Sequence, residues 1–368
     1  MTIHTARTAL LSSLRWRPAA IGLACSLLWT AASAQTAPSL QPSSGPWDSG
    51  AGFHFDLGKK KAQKTRQSLS GLACTLNAAQ QRICLAAFDE GVEARFATLG
   101  KQALIPDAEP VRLRSEDGEL DAEGAATDGQ MVYVTGSHSA KRNSCDSNPD
   151  SRHVLRFRLD PATGRALRNP NGSLVDYADT QNLWSVMQAQ PGLQAYVGER
   201  KCLGSEGAGQ NGVNIEGLAL QNGRLYFGFR GPALDGTAGV LAVDADALFS
   251  GGEVHASLTP LALGPGRGIR DLVAVKTGFL VLAGPDDNDG HKKRSWTVSW
   301  WDGHHSAATA TPKLLATLDL SKVMPRACDK ELKPEAITVL AETPKAYQVL
   351  VLSDGMCDGG PLAFTLPR

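Results

Sequence analysis

The sequence predicts an all-β chain folded as a single β-propeller of four-stranded antiparallel blades. Three observations carry that expectation. A signature leading into an apolar strand recurs at Asp121-Ala122-Glu123-Gly124, Asn214-Ile215-Glu216-Gly217, Gly268-Ile269-Arg270-Asp271 and Lys333-Pro334-Glu335-Ala336. Three of these copies are followed by a tight turn and a second apolar strand, at Asp128-Gly129, Asn222-Gly223 and Thr277-Gly278. Asp-Gly and Asn-Gly accept the positive φ of two-residue hairpin turns, so each unit reads as an antiparallel hairpin. A further strand closed by an Asp turn follows at Arg156–Asp160, Leu241–Asp244 and Val298–Asp302. Repeated sheets of this kind bury their faces against one another, and radial stacking leaves few open edges.

A degenerate fifth copy, Ser70-Gly71-Leu72-Ala73 followed by Ile83–Phe88, lacks the acidic residue. The markers Gly71, Glu123, Glu216, Asp271 and Glu335 stand 52, 93, 55 and 64 residues apart. Three of the four intervals suit one blade of about 40–50 residues plus a loop. The interval of 93 has room for a hidden blade or an insertion, so six blades are expected, with five as the alternative. Within it residues 177–190 read as a short helical insertion, with Asp179 or Thr180 as N-cap, Leu183, Val186 and Met187 as the apolar face and Pro191 as the stop. The last strand, Leu362–Leu366, comes too late for a full outer hairpin to follow, so residues 52–57, around Phe53-His54-Phe55-Asp56, are expected to complete the last blade.

Residues 1–34 carry Arg7, Arg15 and Arg17, an apolar run from Ala19 to Trp29, and Ala32-Ser33-Ala34 before Gln35, the pattern of a secretory signal peptide. Residues 35–66, rich in Pro, Ser, Gly and Lys, read as a polar linker, and 67–368 as the propeller. The expected compartment is periplasmic or extracellular, with no membrane contact once the signal is removed. The mature chain then has 34 basic against 37 acidic residues, a net charge of −3 with no nucleic-acid footprint. It is expected to act as a monomer. Six cysteines remain, and export makes disulfides their natural use. The expected pairs are Cys74 with Cys84, Cys145 with Cys202, and Cys328 with Cys357.

In an antiparallel hairpin the first strand begins where the second ends. Glu123, Glu216, Asp271 and Glu335 should therefore ring one mouth of the central channel, joined by His138, Arg230, Asp286 and Asp354 from the partner strands and by Arg270 and Lys333 from the signature. Several carboxylates at one narrow mouth raise each other's pKa and need positive charge among them. Calcium held by Glu123, Glu216, Asp271 and Glu335 would supply it, and so would salt bridges to Arg230, Arg270 and Lys333. A carboxylate there can also simply accept backbone N–H groups from the next blade. The segment Asp286-Asp287-Asn288-Asp289-Gly290 is one residue short of an EF-hand spacing.

The signatures, taken in order with Tyr133–Ser139 and Phe229–Pro232, resemble the bacterial domain of unknown function family 3616 over about residues 68–366. The Glu-Gly element is also distantly similar to the esterase-like phytase propellers, and that resemblance implies calcium at the mouth binding phosphate esters. The Gly268-Ile-Arg-Asp copy departs from Glu-Gly. Two classes of function follow. One is a calcium-dependent hydrolase of a small anionic ester, with Arg230, Arg270 and Lys333 clamping charge and His138 as acid or base, or a metal-dependent lactonase or esterase with the same mouth. The other is a non-catalytic propeller that binds a ligand or protein. No Gly-x-Ser-x-Gly element supports a serine nucleophile.

Overall fold

The computed structural model describes residues 37–368 apart from 116–117, 205–210 and 287–292. The signal-peptide reading of 1–34 and most of the Asp286–Gly290 loop lie outside the described residues. The described strands form five sheets that follow one another along the chain, antiparallel except where Ser39–Leu40 joins the fourth. Their inner strands are Leu69–Leu76, Ala122–Thr127, Asn214–Gln221, Arg267–Val275 and Lys333–Glu342. Each is followed outward by its hairpin partner: Arg82–Phe88, Met131–Gly136, Arg224–Leu234, Gly278–Pro285 and Ala346–Asp354.

Alternation along each strand builds the ring. In the fourth blade Phe279 and Val281 pack toward the third, against Tyr226 and Val240, whereas Leu280 and Leu282 pack toward the fifth, against Val349 and Val351. Side chains of successive strand residues point to opposite faces, so each blade feeds two cores. The same logic gives a core between every neighbouring pair, and the one that joins Leu350 and Leu352 to Cys84 and Ala86 closes fifth blade on first. Glycine sits where inner strands approach most closely. A Cβ on Gly71 would lie 2.9 Å from the Ala125 nitrogen, and one on Gly124 would lie 2.8 Å from the Leu218 Cβ.

The blade count is five, which corrects the expectation of six. The long interval between Glu123 and Glu216 holds the outer strands of the second blade, Val154–Arg158 and Ala178–Thr180, then the helix Asn182–Ala189 and the loop tied by Cys145–Cys202. The helix buries Leu183 and Met187 against the core between second and third blades, as their spacing implies. It is shorter than the interval 177–190, because 178–180 pair as a strand.

The N-terminal segment closes the ring differently from the expectation. Residues 52–57 form no strand, and the pairing lies upstream. Ser39–Leu40 runs parallel to Lys313–Leu318 of the fourth blade. Ser43 and Trp47 then donate to the Ala363 and Pro361 carbonyls of the fifth blade, at 2.8 and 2.9 Å, and Asp48 bridges to Ala103 of the first. One strap thus crosses three outer edges. Phe53 and Phe55 are buried instead, with ring centroids 5.1 and 5.0 Å from Phe88. The region expected as a linker also forms the helix Lys59–Arg66, whose Arg66 pairs with Asp358 at 2.5 Å. Cys74–Cys84 and Cys145–Cys202 are disulfides, while Cys328 and Cys357 are thiols.

Candidate functional site at the channel mouth

In every blade the pairing of the inner strand with its partner skips one residue near the mouth: Ser70, Glu123, Glu216, Arg270 and Glu335. A bulge of this kind leaves its extra residue out of the ladder and re-aims it. These five residues are therefore the true equivalents around the axis. Asp271 falls one position later, where the other blades carry Gly71, Gly124, Gly217 and Ala336.

Arg270 is the hub. Only 1% exposed, it places Nε 2.7 Å from Glu216 Oε2, and its Nη2 donates to Glu335 Oε1. Arg230 Nη1 lies 2.8 Å from Glu216 Oε1. Burial drives the Glu216 pKa up, but Arg270 and Arg230 together outweigh it and hold the carboxyl below its usual range. Burial, then Arg230, lowers Arg270 to about 10. Glu123, on the neighbouring inner strand, goes the other way: burial, then Glu216, Asp121 and Asp89, push it well above the ordinary carboxyl range, and Arg270 offsets only part of this. Asp89 and Asp121 are likewise raised, chiefly by burial.

These groups open into a cavity of about 460 Å³. Its acidic lining is Asp89, Glu90, Glu119, Asp121, Glu123, Glu216, Glu335 and Asp354, against Lys64, Lys141, Arg142, Arg230 and Lys333. Carboxyl groups outnumber cations eight to five. A second cavity of about 480 Å³ shares Lys64, Glu90 and Glu119 with it and adds Phe55, Leu57 and Val92. At the far end of the channel Arg82 donates to the Val339 and Leu340 carbonyls at 3.0 and 2.9 Å, bridging first and fifth blades.

Of the predicted site residues, Glu123, Glu216, Glu335, Arg230 and Lys333 line the mouth and Arg270 lies beneath it, joined to Glu216 and Glu335. Lys333 pairs with Asp354 at 2.6 Å and Glu331 at 3.0 Å. Two predictions need correction. Asp271 is buried between inner strands, accepting from the Leu272 and Ile337 nitrogens at 2.7 Å each, and burial raises its pKa well above the carboxylate range despite those bonds. It is an interblade latch. His138 is fully buried outside the cavity, with Nδ1 3.0 Å from the Gly136 oxygen, and burial lowers it to about 4, so the ring is neutral.

The donor set does not fit calcium. Glu216 and Glu335 are engaged by arginine and Asp271 by backbone, and among the described residues no three carboxylates bring an oxygen each within 4.8 Å of one another. Arginine supplies the counter-charge. Sequence reasoning missed Asp89, Asp121, Glu119, Arg142 and Lys64 as mouth residues. Asp121 was visible two positions before Glu123, and Asp89 at the end of a second strand, the place Arg230 and Asp354 occupy in their blades. Lys64 gave no signal, because its helix was read as linker.

The family described as protein of unknown function (DUF3616) matches residues 92–168 and 160–358. The chain belongs to the DUF3616 family. Nothing matches it among curated proteins. Similar solved structures are an exo-β-1,3-galactanase from Clostridium thermocellum, at 8% identity over 89% of this chain with a TM-score of 0.46, and a GH43 β-1,3-galactosidase with galactodeoxynojirimycin, at 9% identity over 89% with a TM-score of 0.44. This DUF3616 chain spans 62% of the galactanase chain and 94% of the galactosidase chain. An exo-1,5-α-L-arabinanase from a bovine ruminal metagenomic library is 8% identical over 82% of this chain and 92% of its own, with a TM-score of 0.38. Likeness at these identities concerns the propeller fold alone.

Proposed function

We propose that the mouth is a metal-independent hydrolytic site for a neutral, hydroxyl-rich substrate, with Glu123 as proton donor and Glu216 as the charged carboxylate. One observation carries the reading: two glutamates at equivalent bulges of adjacent blades line one cavity, and their surroundings drive their pKa values in opposite directions. Such a split is how one site holds an acid and an anion at the same pH. Glu123 would give its proton to the leaving oxygen as the carbon–oxygen bond breaks. Glu216, kept ionised by Arg230 and Arg270, would orient the water that adds at that carbon and returns a proton. The adjoining cavity, with Phe55, Leu57 and Val92, suits the leaving group.

The test is a panel of aryl glycosides, carboxylic esters and phosphoesters, with and without chelator. Glycoside cleavage that survives chelation and falls roughly 10²–10⁴-fold in Glu123→Gln is expected. Calcium-dependent phosphoester cleavage would restore the phytase-like reading. Binding of sugars without turnover, equal in wild type and Glu123→Gln, would leave a binding platform.

A further inference from the structure

Away from the acid–base pair, two thiols stand where the sequence called for a bond. Cys328 Sγ, Cys357 Sγ and a carboxylate oxygen of Asp329 all lie within 4.8 Å of one another, and Cys357 Sγ is 3.1 Å from the Cys328 carbonyl. Their loops are already joined: Lys330 N donates to the Gly355 carbonyl at 2.7 Å, and Gln67 Nε2 from the first blade donates to the Cys328 carbonyl. We infer that Cys328 and Cys357 are a redox pair that closes into a third disulfide and pins together the two loops carrying the Lys333–Asp354 ion pair of the mouth.

A bound metal is the rival use of two sulfurs and a carboxylate, and the surroundings oppose it. Asp329 Oδ2 accepts from Arg326 N and Nε at 2.6 and 3.0 Å, while Oδ1 accepts from Arg326 Nη2 at 3.0 Å and Cys357 N at 2.8 Å. A guanidinium therefore sits on the carboxylate that a cation would need. Disulfide closure needs the two sulfurs, already within 4.8 Å, to approach to about 2.05 Å.

The oxidant is a low-molecular-weight disulfide. Cys328, the more accessible thiol, attacks first as its thiolate and releases one small thiol, leaving a mixed disulfide. The Cys357 sulfur then displaces the second small thiol. Two electrons pass from the chain to the oxidant, and the two cysteine protons leave with the two released thiols. Burial, then its hydrogen bond to Cys328, raises the Cys357 thiol to about 12, so Cys328 is the sulfur that attacks first.

The purified chain is titrated with oxidised glutathione, quenched by alkylation under denaturing conditions and weighed. Both alkylatable thiols should disappear with no glutathione retained, giving a chain six hydrogens lighter than the fully reduced one. Cys357→Ser should stop at a glutathione adduct on Cys328. Two thiols that stay free, an adduct that persists on the native chain, or stoichiometric zinc that is lost with Cys328→Ser would each overturn the inference. The wild-type mass decides even if a variant fails to fold.

Discussion

Replacing Arg270 by methionine tests the electrostatics of the hub directly. The side chain is almost completely buried and bonds two carboxylates from two other blades, Glu216 at 2.7 Å and Glu335. Methionine keeps much of the volume but removes the charge. Glu216 is then left with Arg230 alone, and Glu335 with the Ser70 hydroxyl at 3.5 Å. Removing one partner from a buried ion pair costs about 3–5 kcal/mol, because the group left behind is charged and desolvated. At about 4 kcal/mol the folding constant falls roughly a thousandfold. The pH dependence has a definite sign. In the wild type the lowered Glu216 pKa contributes stability that is complete above its ordinary value of 4.5 and is lost as pH falls through the folded value. In the variant the burial that raises Glu216 is opposed by Arg230 alone, so its pKa rises and the deficit against the wild type shrinks as pH falls. Urea unfolding at pH 8 and pH 5 should show the deficit shrinking with acid, and Arg270→Met with Glu216→Gln and Glu335→Gln should recover most of it. A deficit below about 1 kcal/mol, or one independent of pH, would refute the hub.

Asp271→Ala leaves the Leu272 and Ile337 nitrogens without their acceptor and should cost about 3 kcal/mol in denaturant titration, with Asp271→Asn costing less. An unchanged midpoint would mean that the latch carries no load. His138 is neutral in the fold, with its pKa lowered from 6.5 to about 4, so the native state loses stability as pH drops through that window, by about 3 kcal/mol in total. His138→Asn, which tolerates the residue's φ of +57°, should flatten that slope and leave turnover at the mouth intact. Phe53→Ala empties an edge-on packing site against Phe88 and should cost about 3 kcal/mol, measured by the same titration. A loss below 1 kcal/mol there would show the strap to be held by its backbone bonds alone.

The hairpins were legible because turn chemistry and apolar alternation are local: Asp128-Gly129 and Asn222-Gly223 do turn the first and second strands of their blades. The Cys74–Cys84 disulfide was legible for the same reason, its two cysteines standing directly opposite across one hairpin. The signature residue was misread in two blades because chemistry guided the alignment. Matching acid to acid aligns Asp271 with the glutamates, but by register Arg270 is their equivalent, and in the first blade Ser70 rather than Gly71. Only the skipped pairing at each bulge shows which side chain turns to the axis.

The sequence alone determined the repeated hairpin, the kind of sheet it builds and the presence of an acidic mouth, since each follows from the spacing of neighbours within one unit. The tertiary structure decided the number of blades, the strap over three outer edges and the fate of each carboxylate. Those depend on which residues from distant units meet. A glutamate facing Arg270 stays charged, whereas one facing other acids in a buried mouth is driven toward its protonated form. Nothing in the order of residues says which of the two it will face.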